Sequence, residues 1–312
     1  RLRAIQDRLG GSILVTYSDV LPSRIADQLS LSAGRTFIAP SFDEKDIENY
    51  LLANGCPGET ANTWSKIIRA GTRGHPQFVD ARVVALAEEG FPEPDISELL
   101  VPRPEILDVR AEARRLIASR PASDRELLAR ASLLLGRIPR SRLMAVAAID
   151  PPIAEPGDVI DRVTGPWLER TESDALRPSP LLSALGVDTR GVDWAIEIHR
   201  GIAFSFLRSK SLLASDIFDI ATHAMLGRSA APLLLLLPSL LQAGAEVWAQ
   251  VVETSSLLMA FGLDEGQFLP FADPSETAAF RILQLRIAIE AGHRDNVAKI
   301  VQRSVIEFDK NN

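Results

Sequence analysis

Cysteine is almost missing from this chain. Cys56 is the only one, which excludes an internal disulfide and fits a reducing, cytoplasmic setting. Aromatic residues are also few, at 6% of 312 residues, while leucine, alanine and isoleucine abound, a balance that favours helices. No apolar run is long enough to span a bilayer. The most apolar stretch, Ala230 to Leu241, is broken by Pro232 and Pro238 and reads as a buried helix, with an exposed face as a candidate partner groove. No signal-peptide pattern is present. Positive charge is not in excess: 34 Lys and Arg stand against 41 Asp and Glu, a net charge of −7. That argues against a whole-surface nucleic-acid binder and leaves room for a local basic patch. The four histidines, His75, His199, His223 and His293, have no second histidine or cysteine at ligand spacing, so no metal site is expected. No G-x-S-x-G occurs, and Cys56 sits in a Gly/Pro turn without a basic neighbour, which argues against nucleophilic catalysis.

What is present reads as a globular chain of two or three domains, with 46% hydrophobic and 24% charged residues. Residues 12–17 and 36–40 are short, apolar and β-branched, as in a buried parallel sheet. Two such strands cannot make a sheet alone. They read as the last strands of an α/β domain ending near residue 40, and with Arg1 in place of Met the chain is expected to be part of something longer. From residue 41 the period turns helical, with Ser41 and Glu44 as a capping box. Residues 41–120 read as a helical domain, broken by Gly55 to Gly58 and by the corner Gly71-Thr72-Arg73-Gly74-His75-Pro76-Gln77. Glycine suits a helix stop and Pro76 suits the first turn of the next helix, where its missing N–H costs nothing. A second capping box, Ser123 to Glu126, opens three helices followed by strand, acidic turn and strand, a winged-helix pattern over residues 121–186. Residues 187–312 read as paired helices joined by short turns, like an α-solenoid. The expected fold class is therefore mainly α: the remnant of a parallel α/β sheet, a helical lid bundle, a winged helix and helical repeats.

In that order the chain resembles the STAND class of P-loop nucleotide switches, which includes the NB-ARC and NACHT proteins. Three stretches carry the resemblance. Ile13-Leu14-Val15-Thr16-Tyr17-Ser18 looks like the sensor-1 strand, Gly74-His75-Pro76 like the Gly-x-Pro motif, and Trp167-Leu168-Glu169-Arg170 with Pro178-Ser179-Pro180-Leu181-Leu182 like the wing. The resemblance implies ADP or ATP as cofactor, with Mg in the intact protein. It implies Thr16 reading the phosphates, Gly74 and Pro76 at the adenine, and Ser179 where the family carries a phosphate-contacting histidine. It further implies a protein or peptide ligand on the helical repeats and a homo-oligomer in the intact protein. The output would be signalling, transcription control or defence.

The departures are specific. Neither the phosphate loop G-x-x-x-x-G-K-[ST] nor an apolar strand ending in Asp-Asp or Asp-Glu occurs, so the chain by itself is expected to be inactive as an ATPase. Asp19 follows Tyr17-Ser18 where the sensor arginine would stand. The alternative is a non-enzymatic helical scaffold or a winged-helix regulator. For DNA, the best basic cluster is Arg120, Arg125, Arg130, Arg137, Arg140 and Arg142. The helix that would enter a major groove carries Asp158 and Asp161, which repel DNA, so the arginines are expected in salt bridges.

Overall fold

The computed structural model describes residues 41–95, 103–171, 175–208, 212–264 and 267–309. The expected strands at 12–17 and 36–40, and Thr16 with them, lie outside the described residues. The described residues are mainly helical, with fourteen α-helices and one two-stranded antiparallel sheet. They fall into two compact units that interleave in sequence. One takes Arg1–Leu128 and Asp158–Ser183, the other Ala129–Gly157 and Ala184–Asn312.

The first unit begins with α1 (Glu44–Ala53), α2 (Gly58–Thr72) and α3 (Pro76–Glu88). Their helical spacing brings Ile47, Leu51, Trp64, Ile68, Val79, Val83 and Leu86 into one core. Each such side chain contributes about 1.5–3 kcal/mol by leaving water. The α1 cap is Asp43 rather than Ser41: Asp43 accepts from the Asp46 amide and Asp46 accepts from the Asp43 amide. Aspartate caps as well as serine, so the box forms two residues later than the sequence pattern implies. The next helix, α4 (Pro104–Ala118), packs on α3. Arg82 ties the two together, ion-paired to Glu105 at 3.0 Å and lying 5.5 Å from the centre of the Trp64 ring.

Three helices and a hairpin follow: α5 (Ala122–Ala131), α6 (Arg140–Ala147), α7 (Pro156–Val163), β1 (Leu168–Arg170) and β2 (Leu176–Pro178). The expected capping box at Ser123 falls inside the helix rather than before it. Helix α5 already starts at Ala122, and Asp124, fully buried, ion-pairs with Arg162 at 2.8 Å. The hairpin pairs Leu168 with Pro178, Glu169 with Arg177 and Arg170 with Leu176. Leu168 and Leu176 are buried, and Arg177 bonds Glu169 across the strands at 2.5 Å.

After a 3₁₀ turn at Pro180–Leu182 the elements among the described residues are all helices: α8 (Leu185–Arg190), α9 (Val192–Leu207), α10 (Ala214–Leu226), α11 (Ala231–Leu241), α12 (Ala245–Ser255), a 3₁₀ turn at Ser256–Ala260, α13 (Pro274–Glu290) and α14 (Arg294–Asp309). Helix α9 packs on α10, and α13 on α14. The leucine run divides by face: Leu233, Leu236, Leu237 and Leu240 are buried, while Leu235 is 66% exposed. No described helix is long and apolar enough to cross a membrane.

Candidate functional site

The Gly71–Gln77 stretch forms the junction between α2 and α3. Thr72 ends α2 with its hydroxyl donating to the Ile68 carbonyl at 2.7 Å and accepting from the Gly74 amide at 3.1 Å. Arg73 and Gly74 both take positive φ, 56° and 74°. At Gly74 a side chain is excluded twice over. The backbone is left-handed, and a Cβ would overlap the carbonyl oxygen of Phe42. That closeness exists because the Phe42 amide donates to the Gly74 carbonyl at 2.8 Å, pinning the corner to the entry of α1. His75 then stands at the N-cap position of α3 without a side-chain cap bond, and Pro76 opens the helix, as the sequence implies.

Pro76 is half-buried and Gly74 buried. The His75 ring leans on Phe78 with centroids 5.2 Å apart, and its buried Nδ1 has no hydrogen-bond partner among the described residues. Burial pulls the His75 pKa below its usual value, and the negative charge of Glu169 on β1 opposes that shift. Beside the corner a groove of about 250 Å³ runs between Gln77, Asp80 and Ala81 of α3, Val109 and Leu116 of α4, and Trp167 and Leu181. Asp80 accepts from the Tyr50 hydroxyl at 2.5 Å. The groove takes in Gln77 of the corner but neither Gly74 nor Pro76, and its volume is below the range of about 300–1,000 Å³ usual for whole-ligand pockets.

Ser179 is 2% exposed. Its Oγ accepts from the Leu181 amide at 3.4 Å and its own amide donates to the Trp167 carbonyl at 2.9 Å. Its side chain thus caps the 3₁₀ turn that follows β2. Gly74 and Pro76 are two positions apart in one corner, Ser179 belongs to the hairpin end, and Thr16 is outside the described residues.

No family model, curated protein or solved structure matches this chain.

Five of the six clustered arginines bond within the chain, while Arg137 is exposed. Arg120 pairs with Asp124 at 3.4 Å, and Arg125 donates to the Ala118 carbonyl at 3.1 Å. Arg130 is fully buried and donates to the carbonyls of Val146, Ile149 and Pro151, closing the end of α6. Arg140 bonds the Gly157 carbonyl at 3.0 Å, and Arg142 pairs with Asp219 at 2.7 Å. Sequence spacing also missed a histidine pair. His199 and His223, both buried, meet Nδ1 to Nδ1 at 2.7 Å. No group of three or more metal-ligating side chains gathers among the described residues.

Proposed function

We propose that the chain is the regulatory C-terminal part of a STAND-type nucleotide switch. In this reading residues 41–120 form the helical lid, residues 121–186 a winged helix, and residues 187–312 a helical-repeat sensor. The observation that carries it is the Gly74–Pro76 corner, where a positive-φ glycine with no room for a side chain sits two residues before a helix-opening proline. After α3 and α4 come, in chain order, three further helices and a β-hairpin. Pro76 offers a flat apolar face to a purine, and Gly74, closely packed on the Phe42 backbone, fixes the turn that presents it.

Bound ADP or ATP would supply the charge that couples lid to sheet. This chain's share is to hold the base and exclude water from it. The phosphates need a cradle of backbone amides and a lysine, which no residue pattern in this sequence provides. Ser179, buried and capping its own turn, supports a role in holding the hairpin end rather than direct phosphate contact.

The test is Pro76→Ala in the intact protein. Losing about two buried methylenes is expected to weaken ADP binding about tenfold, read by titration calorimetry. Unchanged affinity would make the corner purely structural and leave the helical scaffold as the better reading.

A further inference from the structure

The joint between α6, α9 and α10 gathers five ionisable side chains: Arg142, His199, Asp216, Asp219 and His223. Arg142 reaches from α6 to both aspartates of α10, meeting Asp219 at 2.7 Å. Its guanidinium lies 4.6 Å from the centre of the Phe206 ring on α9. Phe206 meets His223 edge-on, with centroids 5.8 Å apart. Asp216 also holds the start of α10, accepting from the Leu213 amide at 2.9 Å. Asp216, Asp219 and His223 share one face of α10 by their helical spacing.

The remaining neighbours add no buried charge. Helix α11 and the 3₁₀ turn at Ser256–Ala260 hold no ionisable side chain. Asp188 and Arg190 of α8, and Glu246 and Glu253 of α12, are exposed. On α9, Asp193 is exposed, and Glu197 and Arg200 pair with each other at 2.9 Å. On α6, Arg140 is turned to the Gly157 carbonyl.

Only one proton fits between two Nδ1 atoms 2.7 Å apart, so one ring donates and the other accepts. Two imidazolium rings, each with a donor at Nδ1, cannot keep that contact. We propose that the His199–His223 contact, backed by Arg142, is an acid-released latch that holds α10 to α9 and to α6. Burial keeps both rings neutral, lowering His199 to about 4 and His223 to about 3, with His199 and Arg142 adding to burial at His223. A first added proton puts a charge into a dry site beside Arg142, and a second removes the Nδ1–Nδ1 bond. Both strains relax when α10 moves away and the rings reach water.

Because the closed-state values lie below the usual 6.5, the latch is fully held above that pH and weakens as pH falls toward 4. Between about pH 7 and pH 5 the opening equilibrium rises about twentyfold for each histidine released. This inference stands apart from the nucleotide reading, since no residue of the latch belongs to the corner.

The experiment is hydrogen exchange of the whole 312-residue chain, corrected for the intrinsic pH dependence, comparing α9 and α10 with α13 and α14. Acidification from pH 7 to pH 5 is expected to cost α9 and α10 at least tenfold in protection while α13 and α14 keep theirs. A His199→Gln/His223→Gln chain, whose amides pair at any pH, should lose this dependence. Equal loss in both helix pairs, or an unchanged dependence in the double variant, overturns the latch. Should the double variant not fold, imidazole NMR titration of the natural chain decides: midpoints below 5 for both rings support it, and a midpoint near 6.5 for either refutes it.

Discussion

The α2–α3 corner and the α13–α14 pair both fix one helix against the next, and they do so with opposite chemistry. The corner uses backbone. Gly74 accepts from the Phe42 amide, Thr72 closes the helix end, and no ion pair takes part. The α13–α14 joint is ionic. Arg281, 2% exposed, holds Glu307 through two bonds of 2.9 and 2.7 Å and also donates to Gln284 and to the carbonyls of Phe261 and Gly262. Gln284 in turn donates to the Leu258 and Phe261 carbonyls. A backbone joint fails when something is added to it; an ionic one fails when one partner is taken away and the other charge is stranded in a dry interior.

Glu307→Gln should therefore have the largest effect, about 3–5 kcal/mol in urea unfolding, because Arg281 keeps its charge without a counter-ion. Replacing both Arg281 and Glu307 by Met should recover part of that loss, since Arg303, 3.9 Å from Glu307, still loses its carboxylate. A double variant as damaged as the single one would show that packing, not stranded charge, sets the cost. Next comes Gly74→Ala, at about 3 kcal/mol, from left-handed strain plus overlap with the Phe42 carbonyl. Gly55 has positive φ too, but open space where its Cβ would be, so Gly55→Ala isolates the strain alone at about 1–2 kcal/mol. Equal costs at the two glycines would mean that the corner is not pinned to α1.

The backbone joint was legible in the sequence and the ionic one was not, for a physical reason. Glycine and proline act on the dihedrals of their own residue, so Gly74 and Pro76 announce a corner wherever they occur. Apolar spacing likewise placed most helices within a residue or two, though it ran α5 on to Gly136 and α12 on to residue 262, and two short strands around an acidic turn placed the hairpin. A charged side chain, by contrast, is defined by its partner. Arg130 reads as part of a basic surface until α6 presents its carbonyls, and Asp124 reads as part of a capping box until Arg162 claims it. His199 and His223 stand 24 positions apart, and only the packing of α9 on α10 makes them a pair. The capping boxes show the same limit: their residue pattern is local, but tertiary bonds choose which candidate cap is used.

The smallest effect expected is at His75, and it tests whether the corner tolerates charge at all. Its pKa is lowered, chiefly by burial and against the pull of Glu169, so the folded state favours the neutral ring. The stability this adds is whole above about pH 6.5 and declines as pH falls below it. His75→Gln should flatten that decline in urea unfolding between about pH 7 and pH 5. Glu169→Gln should steepen it, because removing the opposing carboxylate lets burial push the ring lower still. An imidazole titrating above 6.5 in the folded chain would reverse the His75→Gln expectation, and would place at the corner a counter-ion of the kind that α13 and α14 depend on.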